Sequence, residues 1–103
     1  MIGGTLMSDQ VESILCQAVA LGQECGAHRL VLYGSRARGD FKECSDIDLA
    51  VWDMPERNRG TFWAQLEDLP TLLKFDVCHI SPLTDKEFLE NIEKDGRVLY
   101  EKD

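Results

Sequence analysis

The chain has no apolar run that approaches the length of a membrane span, which excludes a transmembrane helix within this sequence. Residues 1–5 show no basic segment followed by an apolar one, so no secretory signal is read there. The four cysteines, Cys16, Cys25, Cys44 and Cys78, make no C-x-x-C pair and no zinc spacing. Without an export signal they read as free thiols of a cytoplasmic protein. Basic residues are scarce: 11 Lys and Arg stand against 19 Asp and Glu, a formal net charge of −8. That shortage argues against a broad phosphate-backbone surface, because non-specific nucleic-acid binding is driven by Lys and Arg. Direct nucleic-acid binding is therefore not expected, whereas a basic protein partner suits the acid excess. There is no internal repeat and no low-complexity segment. With 103 residues the chain is expected to form one domain over 1–103, with 1–7 a loose start.

What is present is a regular alternation of helical and strand signals. From Ser8 the pattern turns helical. Asp9 and Glu12 stand at capping spacing, and Val11, Ile14, Leu15, Ala18, Leu21 and Cys25 recur every three to four residues to give one apolar face. Gly26 is its expected stop. Residues 29–33 are short, apolar and β-prone, and they end at Gly34. A short helix is expected over 35–38, a loop over 41–45 and a second strand over 46–52. Residues 53–60 read as a polar loop, and 61–69 as a helix with Phe62, Leu66 and Leu69 on one face. A third strand is expected over 73–80. A helix over 84–95 follows, with Thr84 and Glu87 as a capping box, Leu83 and Phe88 as a hydrophobic staple, and Gly96 as its stop. Residues 97–100 form a final strand or helical tail. The order predicts an α/β (α+β) fold, a small mixed β-sheet with helices packed on it.

One stretch breaks the ordinary rules of such a fold. The second strand carries Asp46 and Asp48 two residues apart, so both point to one face while Ile47, Leu49 and Val51 point to the other. At ~4 Å and an effective dielectric of about 20, like charges repel by roughly 4 kcal/mol. A fold carries that cost where a cation sits between the acids, and Mg²⁺ with substrate phosphates in its shell suits oxygen-only ligands. The Gly34-Ser35 bend supplies the complementary half. Gly34 permits close backbone approach, the following helix start offers unpaired N–H groups to an anion, Ser35 adds a hydroxyl, and Arg36 and Arg38 add positive charge. In the third strand Lys74, Asp76 and Cys78 face one way, and Phe75, Val77 and His79 the other. If the second and third strands pair, Asp76 lies beside Asp48. His28 reads as a loop residue, His79 as a strand side chain, and Trp52 and Trp63 as packing.

Gly34-Ser35, ten residues, then Asp46-Ile47-Asp48 resembles the G-S-x(10)-D-x-D signature of the DNA polymerase beta-like nucleotidyltransferase superfamily. The flanks, Leu-Tyr-Gly-Ser-Arg-Ala-Arg-Gly and Ser-Asp-Ile-Asp-Leu-Ala-Val, are similar to its minimal nucleotidyltransferase branch. The resemblance implies two Mg²⁺ ions on Asp46, Asp48 and Asp76, all three acting in catalysis. It also implies ATP as donor, with Gly34, Ser35, Arg36 and Arg38 on the nucleotide. Larger members carry a further helical domain, so the resemblance implies that a partner or a second copy supplies that surface here. Members of the minimal branch pair with a helical HEPN-type toxin, act as its antitoxin and transfer AMP onto it. Two other readings stay open: a small-molecule nucleotidyltransferase like the aminoglycoside-modifying relatives, and a non-catalytic binding subunit of the same fold.

Overall fold

The computed structural model describes residues 9–102; the loose start expected for 1–7 lies outside the described residues. Eight elements follow in order: α1 (Asp9–Glu24), β1 (Arg29–Tyr33), α2 (Ser35–Arg38), β2 (Ile47–Trp52), α3 (Glu56–Glu67), β3 (Phe75–Ile80), α4 (Lys86–Asp95) and β4 (Arg97–Glu101). The strands make one mixed sheet in the order β3-β2-β1-β4. β1 runs antiparallel to both β2 and β4, while β2 and β3 are parallel and joined through α3. A parallel pair needs such a crossover, because a tight hairpin can only join antiparallel strands.

Alternation along each strand divides the sheet into two faces. On one face Leu30 and Leu32, then Ile47, Leu49 and Val51, then Phe75 meet Ile14, Leu15 and Ala18 of α1 and Phe62 and Leu66 of α3. This is the main core, and the apolar periodicity of 11–25 is the buried face of α1. On the other face Val31 and Ala50 pack against Ile92 of α4, with Tyr33, Trp52, Ile80 and Phe88 around them. The acids Asp48 and Asp76 share this second face by their even spacing from Ala50 and Cys78. At its far end Arg29 stacks 4.5 Å from the centre of the Trp52 ring and pairs with Glu93 at 2.8 Å, tying α4 to β1.

Several boundaries differ from those expected. α3 begins at Glu56, within the segment 53–60 expected to be loop. Its first turn is polar on all sides, so no apolar period marks it. Asn58 fixes it by donating to the Cys25 carbonyl at 2.9 Å, and Arg59 by donating to the Met54 carbonyl at 3.2 Å. β2 starts at Ile47 and β3 at Phe75, leaving Asp46 one residue before its strand. Glu12, expected as a capping acid, instead takes two hydrogen bonds from Arg97 at 2.8 and 2.9 Å. Those bonds hold its carboxyl below the ordinary range.

The cap of α4 is Asp85, not Thr84: the Asp85 carboxylate accepts the Phe88 amide at 3.2 Å, and the Thr84 hydroxyl accepts from Ser81 N–H. Leu83 is 95% exposed and makes no staple. Gly96 ends the helix in extended backbone rather than the left-handed region. A side chain there would meet the Ile92 carbonyl and, at 2.6 Å, Val31, so glycine is required by the close approach of α4 to β1. Asp85→Ala is expected to cost about 1 kcal/mol. In a domain of this size that lowers the melting temperature by about 4–8 °C in a thermal scan.

Candidate active site

β1 delivers the chain to Gly34, whose φ of 75° and ψ of −157° lie in a region open only to glycine. From there α2 starts at once, with the Gly34 carbonyl accepting the amides of Ala37 at 3.2 Å and Arg38 at 3.1 Å. The amides at the opening of such a turn have no partner within it and point outward. The Ser35 hydroxyl makes no hydrogen bond among the described residues. Gly39, at φ 92°, ends the turn.

Asp48 lies across from this bend. In register, Tyr33 stands beside Asp48 on β2, and Asp48 beside Asp76 on β3. A side chain at Gly34 would strike the Asp48 carboxylate, so that carboxylate faces the bend. Burial raises the Asp48 pKa above the ordinary carboxylate value, the charges of Asp76 and then Asp46 raise it further, and Arg38 opposes them. Asp46 and Asp76 are exposed. None of the three acids accepts a hydrogen bond or forms an ion pair among the described residues. Asp48 thus feels the charge of both other acids, and among the described residues only the charges of Arg38, on Asp48, and Arg36, on Asp46, act against them without forming an ion pair.

Among the described residues, no three His, Cys, Asp or Glu side chains close into a metal-holding cluster. The arrangement is an open rim of hard oxygen donors around Asp48. That donor chemistry fits Mg²⁺, which keeps waters and takes substrate phosphates rather than filling an all-protein cage. The Tyr33-Asp48-Asp76 row and the Gly34 bend are therefore compatible with the ion expected from the sequence.

The two arginines separate. Arg38 is exposed, paired loosely with Asp40 at 3.4 Å, and its charge reaches Asp48. Arg36 instead points inward. It is buried, at 4% exposure, and donates to the carbonyls of Ser45 at 3.0 Å, Glu43 at 3.1 Å and Lys42 at 3.5 Å. Its guanidinium is committed to these loop carbonyls.

Tyr33 is the residue that sequence reasoning passed over. Its ring meets Phe88 edge-on at 5.4 Å, walling the acids off from α4. Burial, then the charges of Asp76, Cys78 and Asp48, push its hydroxyl up to about 12, so it stays neutral. Its alternation was visible, but its place depends on the β1–β2 register. His79 lies on the opposite face, where burial and then Arg59 lower its pKa, and exposed His28 stands 3.6 Å from Asp53. Neither joins the acids. A groove of about 510 Å³ runs from Asp46 past Glu43 and Cys44 to Leu72, Leu73 and Lys74. No described helix is long and apolar enough to cross a membrane.

Residues 21–103 match the family model described as polymerase beta, nucleotidyltransferase. No curated protein matches the chain. Among solved structures, a mutant of the toxin–antitoxin MntA-HpeT superposes with a TM-score of 0.67 at 16% identity, over 85% of this chain and 73% of the other. A toxin–antitoxin with AMP-PNP gives 0.68 at 18% identity over the same shares. A structure described as a minimal nucleotidyltransferase gives 0.68 at 22% identity, over 92% of this chain and 98% of the other. At such identities the likeness shows a common fold.

Proposed function

The chain belongs to the polymerase beta nucleotidyltransferase family, and from that premise we propose that it transfers AMP from ATP, with Mg²⁺, to a hydroxyl of a HEPN-type helical toxin and acts as its antitoxin. The single observation that carries this reading is the unpartnered Asp48 carboxylate facing the Gly34-Ser35 bend, with Asp76 beside it in register. The two toxin–antitoxin neighbours, one of them with AMP-PNP, support the choice of partner and donor.

In this reading Ser35 and the amides after Gly34 hold the terminal phosphates of the triphosphate. Asp46, Asp48 and Asp76 would hold the Mg²⁺ ions, two in number. Bound there, the ions supply charge neutralisation at the phosphates and favour ionisation of the acceptor hydroxyl. The acceptor oxygen bonds to the α-phosphorus, and the bond from that phosphorus to the α–β bridging oxygen breaks. Pyrophosphate leaves with the electron pair. Exposed Asp76 takes the proton of the acceptor hydroxyl, and Arg38 balances charge on the departing phosphates. Tyr33 closes the wall toward α4, while the groove beside Asp46 leaves the acceptor an approach. The same open surface suits assembly with a second protein.

The test is incubation with ATP labelled at the α-phosphate, Mg²⁺ and a HEPN-type helical protein, sought in the reading frames neighbouring this chain's. Label is expected on that protein, and Asp46→Asn is expected to remove it by ~10²-fold or more, as when a preorganised charge is taken from a transition state. Tight binding without label instead identifies a binding subunit. Label on an aminoglycoside and not on the protein identifies a small-molecule enzyme.

A further inference from the structure

We infer that Arg36 is a positioning residue that sets the place of Asp46, an inference that rests on the nucleotidyltransferase reading above. Asp46 precedes β2 and makes no side-chain hydrogen bond or ion pair among the described residues; the Ile47 amide, donating to the Lys74 carbonyl at 2.9 Å, fixes the peptide after it, and the loop 41–45 fixes the peptide before it. That loop has little internal structure. Within it Lys42 N–H donates to the Ser45 hydroxyl at 2.8 Å, and Ser45 N–H to the Lys42 carbonyl at 3.0 Å.

Everything else that ties residues 41–45 to the body of the protein, by hydrogen bond or ring contact among the described residues, comes from Arg36. Its guanidinium reaches the carbonyls of Ser45, Glu43 and Lys42 and lies 4.9 Å from the centre of the Phe41 ring. Arg36 belongs to α2, the turn that starts at Ser35. One side chain therefore spans the distance between the phosphate-facing bend and the loop that presents the first acid. Burying a guanidinium on neutral carbonyls is a demanding arrangement, since no carboxylate pairs with it. The planar fork explains the residue type: Nε donates to the Ser45 carbonyl while Nη2 serves those of Glu43 and Lys42, a spread between two fixed nitrogens that the single nitrogen of an ammonium does not have.

The test compares Arg36→Lys, which keeps the charge, with Ser45→Ala, which loosens the same loop from inside and leaves Arg36 alone. Metal-free protein is read by amide hydrogen exchange, Mn²⁺ binding by calorimetry, and transfer by kcat and KM. For Arg36→Lys, exchange at residues 42–46 is expected to quicken while β1 and α3 remain protected. Mn²⁺ affinity is expected to fall ~10-fold or more, as for other residues that orient a ligand without touching the metal. The loss in transfer falls on kcat rather than on KM for the acceptor. Ser45→Ala moves the same quantities in the same direction by less. Faster exchange with unchanged Mn²⁺ affinity and kcat overturns the inference, leaving Arg36 a structural side chain. Unchanged exchange overturns it as well. Should Arg36→Lys fail to fold, Arg36→Gln, which keeps a donor for one loop carbonyl, is read by the same criteria. A wild-type chain that binds no Mn²⁺ sinks the nucleotidyltransferase reading itself, which separates the two failures.

Discussion

Asp48→Asn is expected to abolish nucleotidyl transfer while making the metal-free protein more stable than the wild type at pH 7. Asp48 is the acid that faces the glycine bend and stands between the other two. An asparagine keeps its size and leaves the main core untouched, because that core lies on the other face of the sheet. It removes the charge that would meet Mg²⁺ and the phosphates, and a loss of ~10²–10³-fold or more in kcat follows.

The stability gain follows from the direction of the Asp48 shift. Burial, Asp76 and Asp46 raise its folded pKa, so ionised Asp48 strains the folded state and protonated Asp48 does not. The wild type is therefore relieved below the unfolded carboxylate value and penalised as the pH rises through the folded one. The advantage of Asp48→Asn is expected in full at pH 7 and fades as the pH falls through the carboxylate range. Mg²⁺ reverses the ranking: at 100 times its dissociation constant, an ion that binds only the folded state adds about 2.7 kcal/mol. The wild type gains this and the variant does not. Melting curves at two pH values, with and without Mg²⁺, check the whole pattern. Transfer at the wild-type rate, or a metal-free variant that melts below the wild type at pH 7, removes Asp48 from the metal site.

The legible part of this fold is its local part. Strand alternation puts Asp48 on the face opposite Ile47 and Leu49, and a glycine followed by serine marks the bend, although Asp46, expected in the same strand, lies one residue before it. Asp76 needed one further condition, the pairing of β2 with β3, which the parallel register supplies. Where long-range contacts decide, the sequence is mute. Arg36 follows the Gly34-Ser35 bend and reads as a cation offered to a phosphate there. Only the carbonyls of a loop six to nine residues away turn it inward. Glu56-Arg57-Asn58-Arg59-Gly60 has neither an apolar period nor a strong helix former at its end, and the helix stands there because Asn58 finds the Cys25 carbonyl. Thr84 and Glu87 satisfy the capping pattern as well as Asp85 satisfies a simple cap. The Ser81 amide takes the Thr84 hydroxyl and settles the choice. A local signal predicts well when no distant partner competes for the same group.

Gly34→Ala is expected to be the most damaging single-methyl change in the chain. Two costs act together. The backbone at Gly34, at φ 75° and ψ −157°, is one that an L side chain enters at about 1–3 kcal/mol. The added methyl also strikes the Asp48 carboxylate, and overpacking of that kind costs about 1–3 kcal/mol more. Together these come to ~2–6 kcal/mol, a large share of the stability of a domain of this size. Each kcal/mol lowers its melting temperature by about 4–8 °C. Transfer is expected to vanish even below that temperature, because the methyl displaces the central acid and blocks the approach of phosphate to the bend. The two costs separate in a double-mutant cycle with Asp48→Ala. Removing the carboxylate frees the space for the methyl, so the double variant is expected to be more stable than the two single changes predict by their sum, by ~1 kcal/mol or more. The backbone cost remains, since nothing at position 48 alters φ at position 34. Strict additivity means that Asp48 does not face the bend, and both the metal assignment and the phosphate assignment then lose their shared geometric basis.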